Sequence, residues 1–325
     1  MAIPSNTFET FNSNSIKESF EDIIFNIAPA DTPFMSGIGK VSVPGNTLHE
    51  WSVDALADAG NNAQIEGDDY TAGARTATVK LNNRTQISAK AVSVSGTIES
   101  VDQAGKGSEL AYQLSKAGKE LKKDIERAMV GIENAKATGS SGTARESASV
   151  GTWYGGNIPG TATSAGNFST NGTPSASPAG DGSTAIAGGT NRTYTEALLK
   201  AGVLKAYQLG GNPEVVMMTP AHKQLASAFT GVSTAYRDAS SMSVIGAVDI
   251  YVSDFGELSF VPNRLQNANR VDILQMDTWA MGTLRPFQTK ELASSGDNEK
   301  RLLLTEWTLV AHSPNANYGI FNLTA

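Results

Sequence analysis

Leu110, Leu114, Ala117, Leu121, Ile125, Ala128 and Ile132 recur at steps of three and four residues, the spacing of one apolar stripe along an α-helix. The stripe predicts a continuous helix over residues 108–137, with Ser108 as N-cap and Gly139 as its stop. Thirty residues make a rod of about 45 Å. The other face carries Lys116, Lys119, Lys122, Lys123 and Arg127 against Glu120, Asp124 and Glu126. The rod therefore packs on one side only.

Residues 46–98 read as a long two-stranded excursion. Leu48 to Leu56 leads out, the stretch from Gly60 to Gly73 is a polar tip, and residues 75–95 return with apolar alternation. The alternation changes phase at Ala91-Val92, which predicts a bulge. A returning strand of about 20 residues spans roughly 65 Å, against the usual five or six residues. A compact domain has little use for such a ribbon, whereas an arm lying over a neighbouring molecule does. Residues 46–98 are therefore expected to make few contacts with their own molecule.

The remaining segments divide by composition. Residues 1–45 read as an extended arm: Ile16 to Ile24 is a short amphipathic piece, and over Ala28 to Phe34 the prolines Pro29 and Pro33 forbid a helix and favour an extended path. Residues 139–193 are more than half Gly, Ser and Thr. They read as an ordered, turn-rich insertion around Trp153-Tyr154, with a flexible, disordered linker as the alternative; Phe168 and Ile186 are the only apolar anchors of residues 161–189, which should be dispensable for folding. From 194 the pattern is α/β. Thr193 and Glu196 form a capping box for a helix reaching Tyr207 and stopped by Gly210-Gly211. A buried strand runs from Glu214 to Met218, and Thr219-Pro220 opens a helix to about Phe229. Val248, Ile250 and Val252 alternate in a strand that turns at Asp254-Phe255-Gly256. Further strands follow at Leu258–Val261, Val271–Met276, Trp279–Phe287 and Arg301–Val310.

The chemistry of sites is sparse. The chain has 325 residues, no Cys, a net charge of −7 and a pI near 5.1. Lacking Cys, it has no disulfide, thiolate ligand or Cys nucleophile, which suits a reducing cytosol. It lacks the basic excess by which nucleic-acid binders neutralise phosphates. The start, Met1 to Ser5, shows no secretory pattern, and no run approaches the ~20 apolar residues of a membrane helix. His49, His222 and His312 are not at metal-ligand spacing and read as ordinary polar residues. No phosphate-binding G-x-x-x-x-G-K-[ST] loop or G-x-S-x-G elbow is present. Glu66, Asp68 and Asp69 could hold Ca²⁺, but read first as a solvated loop tip. Sequons such as Asn171-Gly172-Thr173 follow from an Asn- and Thr-rich composition. No catalytic, cofactor-binding or metal residue is assigned, and an enzyme is not expected.

Local wording adds a resemblance. Asn26-Ile27-Ala28-Pro29-Ala30-Asp31-Thr32-Pro33-Phe34 resembles the N-arm signature of phage major capsid proteins of the Hong Kong 97-like lineage. Val248 to Gly256 with Val261-Pro262-Asn263-Arg264, then Leu284 to Leu292 and Gly296 to Arg301, resemble its axial-domain and C-terminal segments. The resemblance implies an α+β Hong Kong 97-like capsid fold. Its parts would be an N-terminal arm (1–45), an E-loop hairpin (46–98), a spine helix of the peripheral domain (99–138) and the insertion (139–193). An axial domain (194–270) and C-terminal strands returning to the peripheral domain (271–325) would complete it. It further implies a non-enzymatic head subunit, icosahedral or prolate, that self-assembles into pentamers and hexamers and encloses double-stranded DNA without sequence-specific binding. Scaffold and portal would be separate proteins, no membrane would be involved, and the virion capsid would be assembled in the host cytoplasm. The alternatives are an encapsulin-like bacterial compartment shell and a phage fibre or surface-binding protein.

Overall fold

The computed structural model describes residues 31–43, 45–54, 56, 59–67, 69, 73, 77–101, 107–155, 166–229 and 249–324. The expected piece Ile16 to Ile24 and most of the arm lie outside them. A short helix, α1 (Pro33–Gly37), begins at Pro33 where the two prolines were expected to forbid one, because proline is tolerated in the first turn of a helix; it leads into β1 (Gly39–Ser42), followed by β2 (Leu48–Val53), β3 (Val79–Arg84), β4 (Gln86–Ser95) and a short α2 (Gly96–Ser100). The long helix is α3 (Glu109–Glu126), continued by a π turn, Arg127–Gly131. Residues 166–193 contribute β5 (Phe168–Ser169), β6 (Pro174–Ala176) and β7 (Ala187–Gly188). Then come α4 (Glu196–Gln208), β8 (Val215–Met218), α5 (Pro220–Ser227), β9 (Ile250–Ser253), β10 (Gly256–Pro262), β11 (Val271–Leu274), β12 (Trp279–Leu292), β13 (Asn298–Ala311) and β14 (Tyr318–Ile320).

Two sheets organise these elements. One has the order β1-β12-β13-β4, the other β5-β14-β11-β8-β10-β9, and β2-β3 forms a separate ribbon. Leu121, Ile125 and Met129 pack with Trp279, Trp307 and Leu309 in the core beneath α3. Leu199, Val203 and Ala206 of α4 pack with Val216, Phe260, Val271 and Ile320 in a second core. The strands β12 and β13 are 14 residues each, and their register shifts on either side of Arg285. Pro286 has no N–H for a ladder bond, so the irregularity falls where it costs least.

The long helix is shorter than its stripe. Ser108 caps it as expected, accepting the Ala111 N–H at 3.2 Å, but the α-helical run ends at Glu126 and the chain is extended by Ile132. The Val130 carbonyl accepts the Asn267 N–H at 3.2 Å and the Arg270 guanidinium at 2.8 Å, so the helix end is bound from outside. A Cβ at Gly131 would stand 2.3 Å from the Leu265 carbonyl oxygen, so the turn needs glycine. Ile132 is exposed, and Glu126, placed by the sequence on the charged face, is fully buried.

The ribbon is corrected in three ways. Its paired part is β2-β3, six residues a side, with Leu48 opposite Arg84 and Val53 opposite Val79. Its base packs on its own molecule, with Leu81 and Asn83 buried and the Trp51 indole donating to the Ala311 carbonyl at 2.9 Å. Beyond Thr85 the chain joins the body: β4 pairs with β13 over ten residues without a shift, so no bulge exists at Ala91-Val92. Apolar residues occupy both faces of β4, with Ile87 outward and Val94 inward, and that mimicked a phase change. Residues 79–95 are thus held within their own molecule, contrary to expectation. The actual break is at Thr85, whose hydroxyl donates to Glu306 at 2.8 Å and whose N–H donates to Thr47.

The Gly-rich stretch is also more deeply built in than its composition predicts. Trp153 and Tyr154 are fully buried. The Asn167 amide donates to the carbonyls of Pro314 and Asn317 at 2.7 and 2.9 Å and accepts the Gly155 N–H at 2.7 Å, and β5 extends a sheet. Phe168 and Ile186 pack against the first core and the backbone and amide contacts add to them, so residues 166–189 are built into the body of the molecule.

Smaller corrections follow. The cap of α4 is Thr195, not Thr193, and Glu196 binds Lys200 at 2.8 Å and accepts the Tyr251 hydroxyl at 3.2 Å. In β9, Ile250 and Val252 are exposed and Tyr251 is buried, so the apolar alternation marks the outer face; Val248 lies outside the described residues. Within 271–325, β11 and β14 belong to the sheet of β8–β10, and only β12 and β13 pair with β1 and β4. The sheets therefore do not divide at residue 270.

Candidate functional site

Of the residues singled out for chemistry, His49 and His312 come near enough to feel each other's charge, while His222 is held elsewhere by its own partners. Both ring nitrogens of buried His222 are engaged: Nε2 donates to the Thr324 carbonyl at 2.9 Å, and Nδ1 accepts the Thr219 hydroxyl at 2.9 Å. Burial lowers its pKa. The half-buried His49 ring lies 5.6 Å from Trp51, and burial, then the nearby His312, pull its pKa down. His312 is exposed, and its N–H donates to Thr278. Glu66 and Asp69 are exposed, and Asp68 lies outside the described residues. Among the described residues no three His, Cys, Asp or Glu side chains converge to hold a metal, and no helix is long and apolar enough to cross a membrane.

The cluster that sequence reasoning missed is centred on Arg270. Its guanidinium donates to Asp272 at 2.9 Å, to Glu133 and to the Val130 carbonyl. Asp272 also accepts the Tyr154 hydroxyl at 3.0 Å and the Gln266 amide at 2.5 Å. Burial works against the arginine's charge, but Asp272 and Glu133 outweigh it and hold its pKa above the ordinary value. Burial raises Glu133 despite Arg270, and raises Tyr154 well above its ordinary value. Each member is bound to another, although Glu133 Oε2 and Gln266 Oε1 are left without a hydrogen-bond partner, and the cluster acts as a strut joining the π turn, β11 and the Trp153-Tyr154 segment. Its signal was legible: Asp272 interrupts a strand buried at all four positions, and a buried charge requires a partner.

The surfaces left for function are apolar and exposed. At the end of the second sheet, Leu204 and Tyr207 of α4 stand with Ile250, Val252 and Phe255 of the β9-β10 hairpin, and the rings of Tyr207 and Phe255 lie 4.9 Å apart. Gly256, at φ 143, closes that hairpin. On the ribbon, Leu56 is 97 % and Ile65 75 % exposed. Single exposed apolar residues are ordinary, whereas grouped ones mark contact surfaces.

The fold is that of phage capsid proteins. A chain from the capsid of an empty GTA particle superposes with a TM-score of 0.62 at 12% identity, over 98% of each chain. A chain from Mycobacterium phage Adephagia gives 0.60 at 13% identity over 99% of each. The major capsid protein of Escherichia phage Phieco32 is 29% identical over 350 residues, covering 99% of this chain and 98% of that one. The family model of the SU10 major capsid protein matches residues 3–324, and the chain belongs to that family. It is a capsid shell subunit of a tailed phage, and neither the compartment-shell nor the fibre alternative is supported.

Proposed function

We propose that the subunit builds its shell in the Hong Kong 97-like manner, forming pentamers and hexamers that enclose double-stranded DNA. Residues 1–45 serve as the N-terminal arm, the β2-β3 ribbon as the E-loop and α3 as the spine helix, with the four-stranded sheet forming the peripheral domain. The axial domain is the six-stranded sheet with α4 and α5, so it takes in β11 and β14. The observation that carries this reading is the exposed apolar group at the β9-β10 hairpin and α4, on the sheet edge opposite β5. Head-to-tail contacts through such an edge close into rings, and ribbons laid over neighbours add buried area without enlarging the body. Scaffold and portal act as separate proteins, and assembly takes place in the host cytoplasm.

The test is Val252→Asp and Phe255→Asp in the full chain, followed by light scattering and electron microscopy. Both side chains are solvent-exposed, so the variants stay folded by circular dichroism but form neither rings nor closed shells. Normal shells from both would overturn the assignment of this edge to the ring contact.

A further inference from the structure

The root of the β2-β3 ribbon is held to the body from two sides. On its inner face Leu81 and Asn83 are buried, and the Asn83 amide donates to the Leu309 carbonyl at 2.7 Å and to the Ser147 hydroxyl at 3.1 Å. A strand held on one face alone can rock about that contact. Asn82 stands between the two, with its side chain on the opposite face. There the Lys136 ammonium donates to the Asn82 side-chain oxygen at 2.9 Å and to its backbone carbonyl at 3.2 Å. The third N–H goes to the Asp181 carbonyl at 2.8 Å, so every donor of the ammonium is used. The Lys136 backbone N–H donates to the next carbonyl of that turn, Gly182, at 2.8 Å. Among the described residues no carboxylate pairs with Lys136. The Asp181 carboxylate faces away, accepting the Ser183 N–H at 2.8 Å.

We propose that Lys136 is the positioning residue of the ribbon, fixing the angle at which β2-β3 leaves the body before a second copy binds, an inference that rests on the shell-building reading above. Three carbonyl oxygens from two segments converge on one ammonium, and no competing carboxylate draws it aside. Among the described residues no other side chain of the body hydrogen-bonds to Lys80, Asn82 or Arg84, the residues of that outer face. The lysine therefore opposes the rocking that the Asn83 contacts leave open. A ribbon set in the free subunit needs no ordering when it meets a neighbour, so less of the contact energy is lost on association. It also gives the turn at Asp181 a purpose, since that turn is the fixed point against which the ribbon is braced.

The experiment is Lys136→Met in the full chain, read by hydrogen exchange with mass spectrometry on free subunits and by electron microscopy of assembled particles. Methionine keeps an unbranched apolar stem and removes the three donors. The amides of residues 48–53 and 79–84 are expected to exchange about tenfold faster, while those of α3 and β13 keep their parent rates. Particle yield falls by about tenfold, and Lys136→Arg, which keeps a donating cation, restores it to within about threefold. Lys80→Met, exposed on the same face of β3, matches the parent in both measurements. Ribbon amides at parent rates, faster exchange spread evenly over the chain, or full particle yield from Lys136→Met would each overturn the proposal and leave the shell reading intact. A parent chain that forms no particles sinks the shell reading, and exchange on the free subunits then decides by itself whether Lys136 holds the ribbon.

Discussion

The Glu126 carboxylate, at the end of α3, accepts the backbone N–H of Met35 at 2.7 Å. It also accepts the N–H of Phe34 at 2.9 Å and the amide of Asn263 at 2.7 Å. One buried side chain therefore holds α1, the long helix and the loop after β10 in register. Phe34 is fully buried and packs edge-on to Trp279, with ring centroids 6.0 Å apart.

Glu126→Ala leaves two backbone donors facing a void, so a loss of about 2–4 kcal/mol is expected in chemical denaturation. Glu126→Gln is milder but measurable, since its NH₂ must face one of those donors.

The same residue predicts a pH effect. Burial raises its pKa above the ordinary 4.5, against the lowering pull of the Met35, Phe34 and Asn263 donors. A carboxyl raised on folding binds its proton more tightly in the folded state. Its contribution to stability is therefore fullest below the unfolded value and declines as pH rises through the folded one. Glu126→Gln should flatten the stability profile over that window; an unchanged slope would refute the assignment.

Leu121→Asp and Ile125→Asp place a carboxylate in the core, where Leu121 is 1% and Ile125 0% exposed. The cost of an unpaired buried charge is comparable with the whole stability of the fold, about 5 kcal/mol or more, and soluble protein should be lost. Lys119→Ala, on the solvent face, leaves yield and melting temperature nearly unchanged. Equal tolerance at all three positions would contradict one-sided packing.

Asn167→Ala removes two donors and one acceptor at a fully buried site. A loss of about 2–3 kcal/mol follows, and deletion of residues 166–189 should prevent folding. A stable deletion variant would restore the view of this stretch as dispensable.

Shells should form in nuclease-treated samples, with scaffold if it is required. The net charge is −7, and residues 1–40 carry only Lys17 and Lys40 against five carboxylates, whereas nucleic-acid-templated shells depend on basic arms. Light scattering with and without nuclease decides it. Assembly that requires nucleic acid would contradict this.

The sequence alone determined what depends on local pattern. The stripe through Leu121 and Ile125, the caps at Ser108 and Thr219 and the turn before Gly256 were all legible, because period and capping are properties of adjacent residues. Only the tertiary structure decided what depends on distant partners. Glu126 is buried because Phe34, Met35 and Asn263 supply its donors. The apolar face of β9 points outward because Tyr251 takes the inner side against Glu196. The helix stops early because Arg270 and Asn267 take the Val130 carbonyl. Residues 79–95 belong to the body because the strand Asn298–Ala311, some two hundred residues later, pairs with ten of them. Helical period is written within a few turns of chain, but a partner across the sheet is not, so strand placement and the burial of charge wait on the fold.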